Sequence, residues 1–197
     1  LSWQKDEYAG TYLYAGKISQ NSTFYDMWSQ YYKGIRKCNT IITRIDECRD
    51  LKPLARRDLL GITYYMRASF YFYLLELYGP VVIMPERPME VDQPSEALSF
   101  ERSTYDECVD YICKDLEQAY QLLDPSRPTS EFQKPTKYAA AALMSRVRLY
   151  QASKWYNGNP FYADWKTSDG RNLIAQVNDP SKWAKSAAAS KRIIESG

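Results

Sequence analysis

Apolar residues along this chain recur at helical rather than strand spacing, and the pattern is densest between Leu59 and Tyr78. Only Arg67 and Glu76 are charged in that stretch. Two neighbouring stripes run through it: Leu59, Thr63, Met66, Phe70, Tyr73 and Leu77, and beside them Leu60, Tyr64, Arg67, Tyr71, Leu74 and Tyr78. The 3–4–3 spacing predicts a helix. A helix apolar on nearly every side must be surrounded, by other helices or by lipid. Arg67, Glu76, Gly61, Ser69, Thr63 and the five tyrosines argue against lipid, whose core rejects polar atoms. Pro53 suits a first helical turn and Gly79-Pro80 closes the run. The expectation is a buried central helix from Pro53 to Tyr78, roughly 39 Å long.

The same reading yields four more helices. Phe24 to about Glu47 carries the stripe Trp28, Tyr32, Ile35, Cys38, Ile42, Ile45, with Thr23 placed to cap it. Asn39 lies next to that stripe and needs a hydrogen-bond partner if buried. The short break before Pro53 predicts antiparallel packing of the first two helices. Val81–Met84 is a short strand or an extended crossover within a proline-rich stretch. Ser103 or Thr104 then caps a helix with the stripe Tyr105, Val109, Ile112, Leu116, Ala119, Leu123, and Asp106 and Glu107 stand where a capping box needs them. Pro135 opens a fourth helix, whose Ala139–Ala142 run admits a close neighbour. An irregular insert follows, with turn signals at Asn157-Gly158 and Asp169-Gly170. Asp179-Pro180 leads into a fifth helix, Ser181 to about Ser196, with Trp183, Ala187 and Ile194 expected to face inward. The final pair (Leu143, Val147 and Tyr150 against Trp183, Ala187 and Ala188) shows the alternation of large and small residues of tetratricopeptide-like repeats. The predicted class is all-α: helical repeats with long irregular inserted loops, an α-α superhelix. Residues 1–23 form an irregular aromatic segment; residues 24–197 are the helical repeat region of one domain.

Composition narrows the chemistry. With no histidine, Ser-His-Asp and Cys-His catalysis and most zinc sites are excluded. Carboxylates are plentiful but sit mostly on exposed helix faces, so a glycosidase-type pair is a weak reading. No catalytic residue, metal ligand or cofactor is assigned. A net charge of +2 with interspersed signs gives no nucleic-acid footprint. Cys38, Cys48, Cys108 and Cys113 show no CxxC spacing, and Cys38 and Cys108 read as small buried hydrophobes. Eighteen tyrosines and five tryptophans are the unusual feature. Such side chains suit recognition surfaces as well as helix interfaces. The opening at Leu1 and the stop at Gly197 read as those of a fragment, so a missing leader carries no information on location.

Several segments in order resemble the SusD/RagB family of Bacteroidetes outer-membrane nutrient-binding lipoproteins. WSQYYKGIRKCNTII is similar to the family's first repeat helix. LLGITYYMRASFYFYLLELYGPVVIMP resembles its Arg-Ala pair followed by aromatics and Tyr-Gly-Pro-Val. ERSTYDECVDYICKDLEQAYQLL, PTKYAAAALMSRVRLYQAS, NGNPFYADW and PSKWAKSAAASKRIIESG follow in family order. One departure stands out: Ile62 follows Gly61 where the family often has Glu. Arg67 then needs a carboxylate from elsewhere, expected from Asp46, Glu47 or Asp106.

The resemblance implies a surface lipoprotein that caps a SusC-like TonB-dependent outer-membrane transporter. It would hand the transporter an oligosaccharide or, in some members, a peptide, without cleaving it. The lipid anchor and the second half would lie outside this chain. The ligand would be met by irregular segments, including the one before the first repeat helix. Glycan sites pair aromatic faces with polar edges in a shaped cleft, so Trp3, Tyr8, Tyr12 and Tyr14 are the expected ligand-binding residues. Trp155, Tyr156 and Trp165 are second candidates, read first as pinning their own loop. The competing class is a tetratricopeptide-type protein–protein adaptor, which needs neither the aromatic segment at 1–23 nor the insert at 155–179.

Overall fold

The computed structural model describes residues 14–17, 19, 26–87, 94 and 99–196. Among the described residues five α-helices make up the body: α1 (Trp28–Arg44), α2 (Pro53–Tyr78), α3 (Tyr105–Leu122), α4 (Lys137–Ala152) and α5 (Ser181–Ile194). Each packs chiefly on its neighbours in sequence. Hydrogen bonds between opposite ends show the alternation of direction. Tyr78, at the end of α2, bonds the start of α1, and Lys137, at the start of α4, bonds Asp124 beyond the end of α3. This is the stacked helix-hairpin architecture of a tetratricopeptide-like repeat. Among the described residues there is no strand, only two isolated bridges within the insert. No helix among the described residues is long and apolar enough to cross a membrane.

Local sequence accounts for most boundaries. Thr104 and Glu107 form the reciprocal capping box of α3, the Thr104 hydroxyl accepting from the Glu107 N–H and the Glu107 carboxylate from the Thr104 N–H. Gly79 ends α2 at φ 67°, a conformation open to glycine. The α3 stripe is buried throughout, from Tyr105 to Leu123. The first helix starts at Trp28, four residues later than its periodicity suggests, and Thr23 lies outside the described residues. Its first turn is satisfied by Asp26 and by a tertiary cap, the Tyr78 hydroxyl, which accepts from the N–H groups of Met27 and Trp28.

The Val81–Met84 segment is an extended crossover rather than a strand, and tyrosines from the helices satisfy its backbone. Tyr32 Oη donates to the Val82 carbonyl at 2.8 Å and accepts from the Val82 N–H at 3.1 Å. Tyr71 Oη accepts from the Met84 N–H at 2.9 Å. Burial raises the pKa of both phenols, keeping them neutral hydrogen-bonding groups. Part of the tyrosine richness is thus structural: each ring fills the core while its hydroxyl meets a non-helical backbone.

The core holds a buried charge network. Arg67 and Asp115, 1 % and 2 % exposed, are joined by two 2.7 Å bonds, from Nε to Oδ2 and from Nη2 to Oδ1. Arg67 Nη1 donates to Asn39 Oδ1 at 2.8 Å, and Asn39 Nδ2 donates to the Pro85 carbonyl at 3.0 Å. Glu86 adds a 3.1 Å contact. Burial, the largest single influence, lowers the Arg67 pKa, but the hydrogen bonds it donates to Asp115 together with the charges of Asp115 and Glu86 outweigh it and the net shift is upward. The partner is therefore Asp115 with Glu86, not Asp46, Glu47 or Asp106. Asp46 pairs with Arg56, Glu47 with Arg44, and Asp106 with Lys182.

Two face assignments change. The central helix is not enclosed on every side: Leu59, Met66, Tyr73 and Leu77 remain 37–46 % exposed along one stripe. On α5 the expected inward residues Trp183, Ala187 and Ile194 point outward, while Lys182 and Ser186 are buried. Polar contacts set that rotation. Lys182 Nζ reaches both Asp106 oxygens at 2.7 and 2.8 Å, Ser190 meets Ser145 at 2.7 Å, and Arg192 grips Glu117 with two bonds. A cation at that depth cannot be left without its carboxylate, so it overrides the weaker preference of an alanine-rich helix. All four cysteines are free thiols, and burial raises the Cys38 and Cys113 pKa values to about 11 and that of Cys108 to about 12, as expected of inert core thiols.

In the complete protein, Arg67→Leu is expected to lower the unfolding free energy by about 3–5 kcal/mol, because Asp115 is left buried and unpaired. Pairing it with Asp115→Leu should restore much of that loss. Denaturant titration of the three proteins checks this, and a single variant as stable as the parent would contradict the assignment.

Candidate functional site

Of the four residues expected to meet a ligand, Trp3, Tyr8 and Tyr12 lie outside the described residues. Tyr14 is described and is 95 % exposed, free of any core role. The second candidates separate into two kinds. Tyr156 stacks face to face on the buried Tyr105, with centroids 3.8 Å apart at 9°. Trp165 packs on Tyr162 and over Gly79, and Arg102 lies between its ring and that of Trp28. Arg102 also donates to the Tyr78 and Pro80 carbonyls, locking the insert to the end of α2. These two rings pin the loop. Trp155 does not: it is 63 % exposed.

The insert between α4 and α5 is closed at its base by polar contacts. Asn157 Nδ2 donates to the Asp179 carbonyl at 2.9 Å, and its Oδ1 accepts from the Asp179 N–H at 2.8 Å. The N–H groups of Gly158 and Asn159 both reach the Ala175 carbonyl at 3.0 Å. Gly158 sits at φ 83°, and a Cβ there would come within 2.8 Å of the Asn178 backbone nitrogen. No other residue type fits this crossing. Asn159 Nδ2 donates to the Trp155 carbonyl at 3.1 Å, so the backbone beneath that indole is held.

Between the pinned insert and the helices α4 and α5 lies a cleft of about 580 Å³. Tyr150 and Leu149 come from α4, Ser153, Trp155, Tyr156 and Tyr162 from the insert, and Trp183 from α5. Tyr150 is held edge-on by Phe72, with the Arg146 guanidinium over its ring. Ser153 Oγ donates to the Tyr150 carbonyl. Burial raises the Tyr156 pKa, so its hydroxyl stays protonated. The cleft thus has flat aromatic walls, phenol and hydroxyl groups at intervals, and no carboxylate, ammonium or guanidinium among its lining residues. Such a surface can stack on a flat ligand face and exchange hydrogen bonds at its edge; it offers no acid–base pair. Among the described residues no group of side chains could hold a metal ion. Periodicity missed Trp183 because it assigned that ring to the core, and Trp155 stood only among the second candidates, read first as pinning its own loop.

Comparison with known proteins follows the helices. A SusD-like family model, described as starch-binding and associating with the outer membrane, matches residues 2–149. A SusD-like protein of Bacteroides ovatus is 27 % identical over 133 residues, covering 66 % of this chain and 23 % of its own length. The crystal structure of a SusD-like protein from Bacteroides fragilis superposes with a TM-score of 0.67 at 25 % identity, over 100 % of this chain and 30 % of that one. Another structure, solved with a xylogluco-oligosaccharide, shares the fold at 18 % identity and a TM-score of 0.65, over 91 % of this chain and 31 % of that one. The chain therefore spans about a quarter to a third of the length of these relatives.

Gly158→Ala is expected to loosen the base of the insert without unfolding the helices. The left-handed backbone alone costs about 1–2 kcal/mol for a residue with a Cβ, so amide exchange at 158–159 should quicken roughly tenfold. Hydrogen-exchange mass spectrometry on the complete protein measures this; unchanged exchange there would mean the crossing is not tight.

Proposed function

This chain belongs to the SusD-like family, and on that footing we propose that it is the binding part of a surface lipoprotein that captures a glycan and delivers it, uncleaved, to a SusC-like TonB-dependent transporter in the outer membrane. The observation that carries the reading is the family match, which runs from the aromatic segment at the start of the chain through the first three repeat helices and into the fourth, residues 2–149. The helical body supports it by its construction. Buried ion pairs and tyrosine–backbone bonds make a rigid frame on which irregular segments are displayed, the division of labour expected of a binding protein. In this reading Trp3, Tyr8, Tyr12 and Tyr14 meet the sugar, their faces stacking on its C–H surfaces. Tyr14 is exposed, as that role requires. The membrane anchor would be a lipid attached outside this chain.

Isothermal titration of the complete protein with maltoheptaose and with a xylogluco-oligosaccharide tests the proposal. At least one should bind and be recovered intact. Trp3→Ala and Tyr12→Ala are each expected to weaken that binding about tenfold, the usual effect of removing a central aromatic anchor. Unchanged affinities in both variants would reject the N-terminal assignment, and binding of peptides in place of sugars would move the protein to the peptide-binding branch of the reading.

A further inference from the structure

We propose that the cleft between the insert and α5 is a second saccharide-binding place, built from residues other than those of the aromatic N-terminal segment, with Trp155 and Trp183 as its stacking faces. The inference rests on the glycan reading above and adds to it a location and a ligand class: a neutral oligosaccharide.

Three observations lead there. First, these two indoles are 63 % and 49 % exposed, and neither is needed to hold the structure together. The insert is pinned by Tyr156 on Tyr105 and by Trp165 beneath Arg102, and α5 is held by Lys182, Ser190 and Arg192. Exposed large apolar side chains gathered at one cleft mark a binding surface, whereas scattered ones do not. Second, the backbones carrying both rings are fixed before any ligand arrives. Asn159 holds the Trp155 carbonyl, and the Trp183 N–H donates to the Pro180 carbonyl in the first turn of a helix anchored by a buried cation. Rings on a rigid base lose little entropy when a ligand stacks on them.

Third, the lining chooses the ligand. None of the lining residues is charged, and the nearest cation, Arg146, is already engaged by Glu76 and Tyr150; this disfavours anionic or cationic partners, and an aliphatic peptide would offer nothing to the Tyr156 and Tyr162 hydroxyls. A neutral sugar satisfies both needs, its C–H face lying on an indole and its hydroxyls reaching the tyrosine Oη atoms at the rim. The volume of about 580 Å³ falls within the range of small-molecule sites, ~300–1,000 Å³.

The test uses the complete protein labelled with 5-fluorotryptophan. The resonances of residues 155 and 183 are assigned from Trp155→Phe and Trp183→Phe, and the protein is titrated with maltoheptaose and with a xylogluco-oligosaccharide. Both resonances should move with saturation, and should still move in a Trp3→Ala/Tyr12→Ala background. Trp155→Ala and Trp183→Ala should each lose about tenfold in affinity for the cleft component, while the phenylalanine variants keep most of it. Saccharide binding by the parent with both resonances unmoved and both alanine variants unaffected would overturn this site and leave the glycan reading standing. A parent that binds neither saccharide would overturn both.

Discussion

The Arg67–Asp115 pair ties together more than the two helices that carry it. Arg67 belongs to α2 and Asp115 to α3; through Asn39 the same guanidinium reaches α1, and through Glu86 the crossover that follows α2. Four consecutive pieces of the chain are thus referred to one planar group with a fixed fork of donors. A buried ion pair is a poor source of net stability, because desolvation takes back most of the attraction. What it supplies is register. Apolar stripes slide past one another at small cost, but a helix displaced by one turn here would leave a carboxylate or a guanidinium buried alone.

The same logic recurs at the other end of the array. Lys182 reaches across from α5 to Asp106 on α3, and Gln151 of α4 donates to that same carboxylate. Each hairpin is therefore locked to the next by a polar contact set into an apolar interface. The rotation of α5 follows from this, and Trp183 is carried to the surface as a by-product. The frame being rigid, its irregular parts are positioned accurately. The crossover after α2 hangs on tyrosine hydroxyls, and the insert before α5 is closed by Asn157 and Gly158. The aromatic cleft is the space these fixtures enclose.

Much of this was legible beforehand. The limits of α2 from Pro53 to Gly79, the capping box at Thr104, the full stripe of α3 and the turn at Asn157-Gly158 all rest on contacts a few residues apart, and their signals lie side by side in the chain. Asn39 was recognisable as a polar residue in need of a partner, though not which partner. The need of Arg67 for a carboxylate was equally plain, but Asp115 lies 48 residues away in sequence. It stands beside Leu116 rather than on the α3 stripe, and nothing near it in sequence marks it as the partner. The site was less legible than the frame. Aromatic content in the insert separated into pins and exposed rings only once Tyr105 and Arg102 were seen to claim Tyr156 and Trp165.

By itself, then, the order of residues determined an all-α chain whose described part holds five helices with a long central one, the capping box at Thr104, and an irregular aromatic-rich insert before the last helix. Those features depend on backbone hydrogen bonding and side-chain spacing within a turn or two. Tertiary structure alone decided which face of α5 is inward, which side of α2 stays open and which carboxylate answers Arg67. These are choices between helix rotations of similar hydrophobicity, and the balance is tipped by charges that find their partners only when distant helices meet.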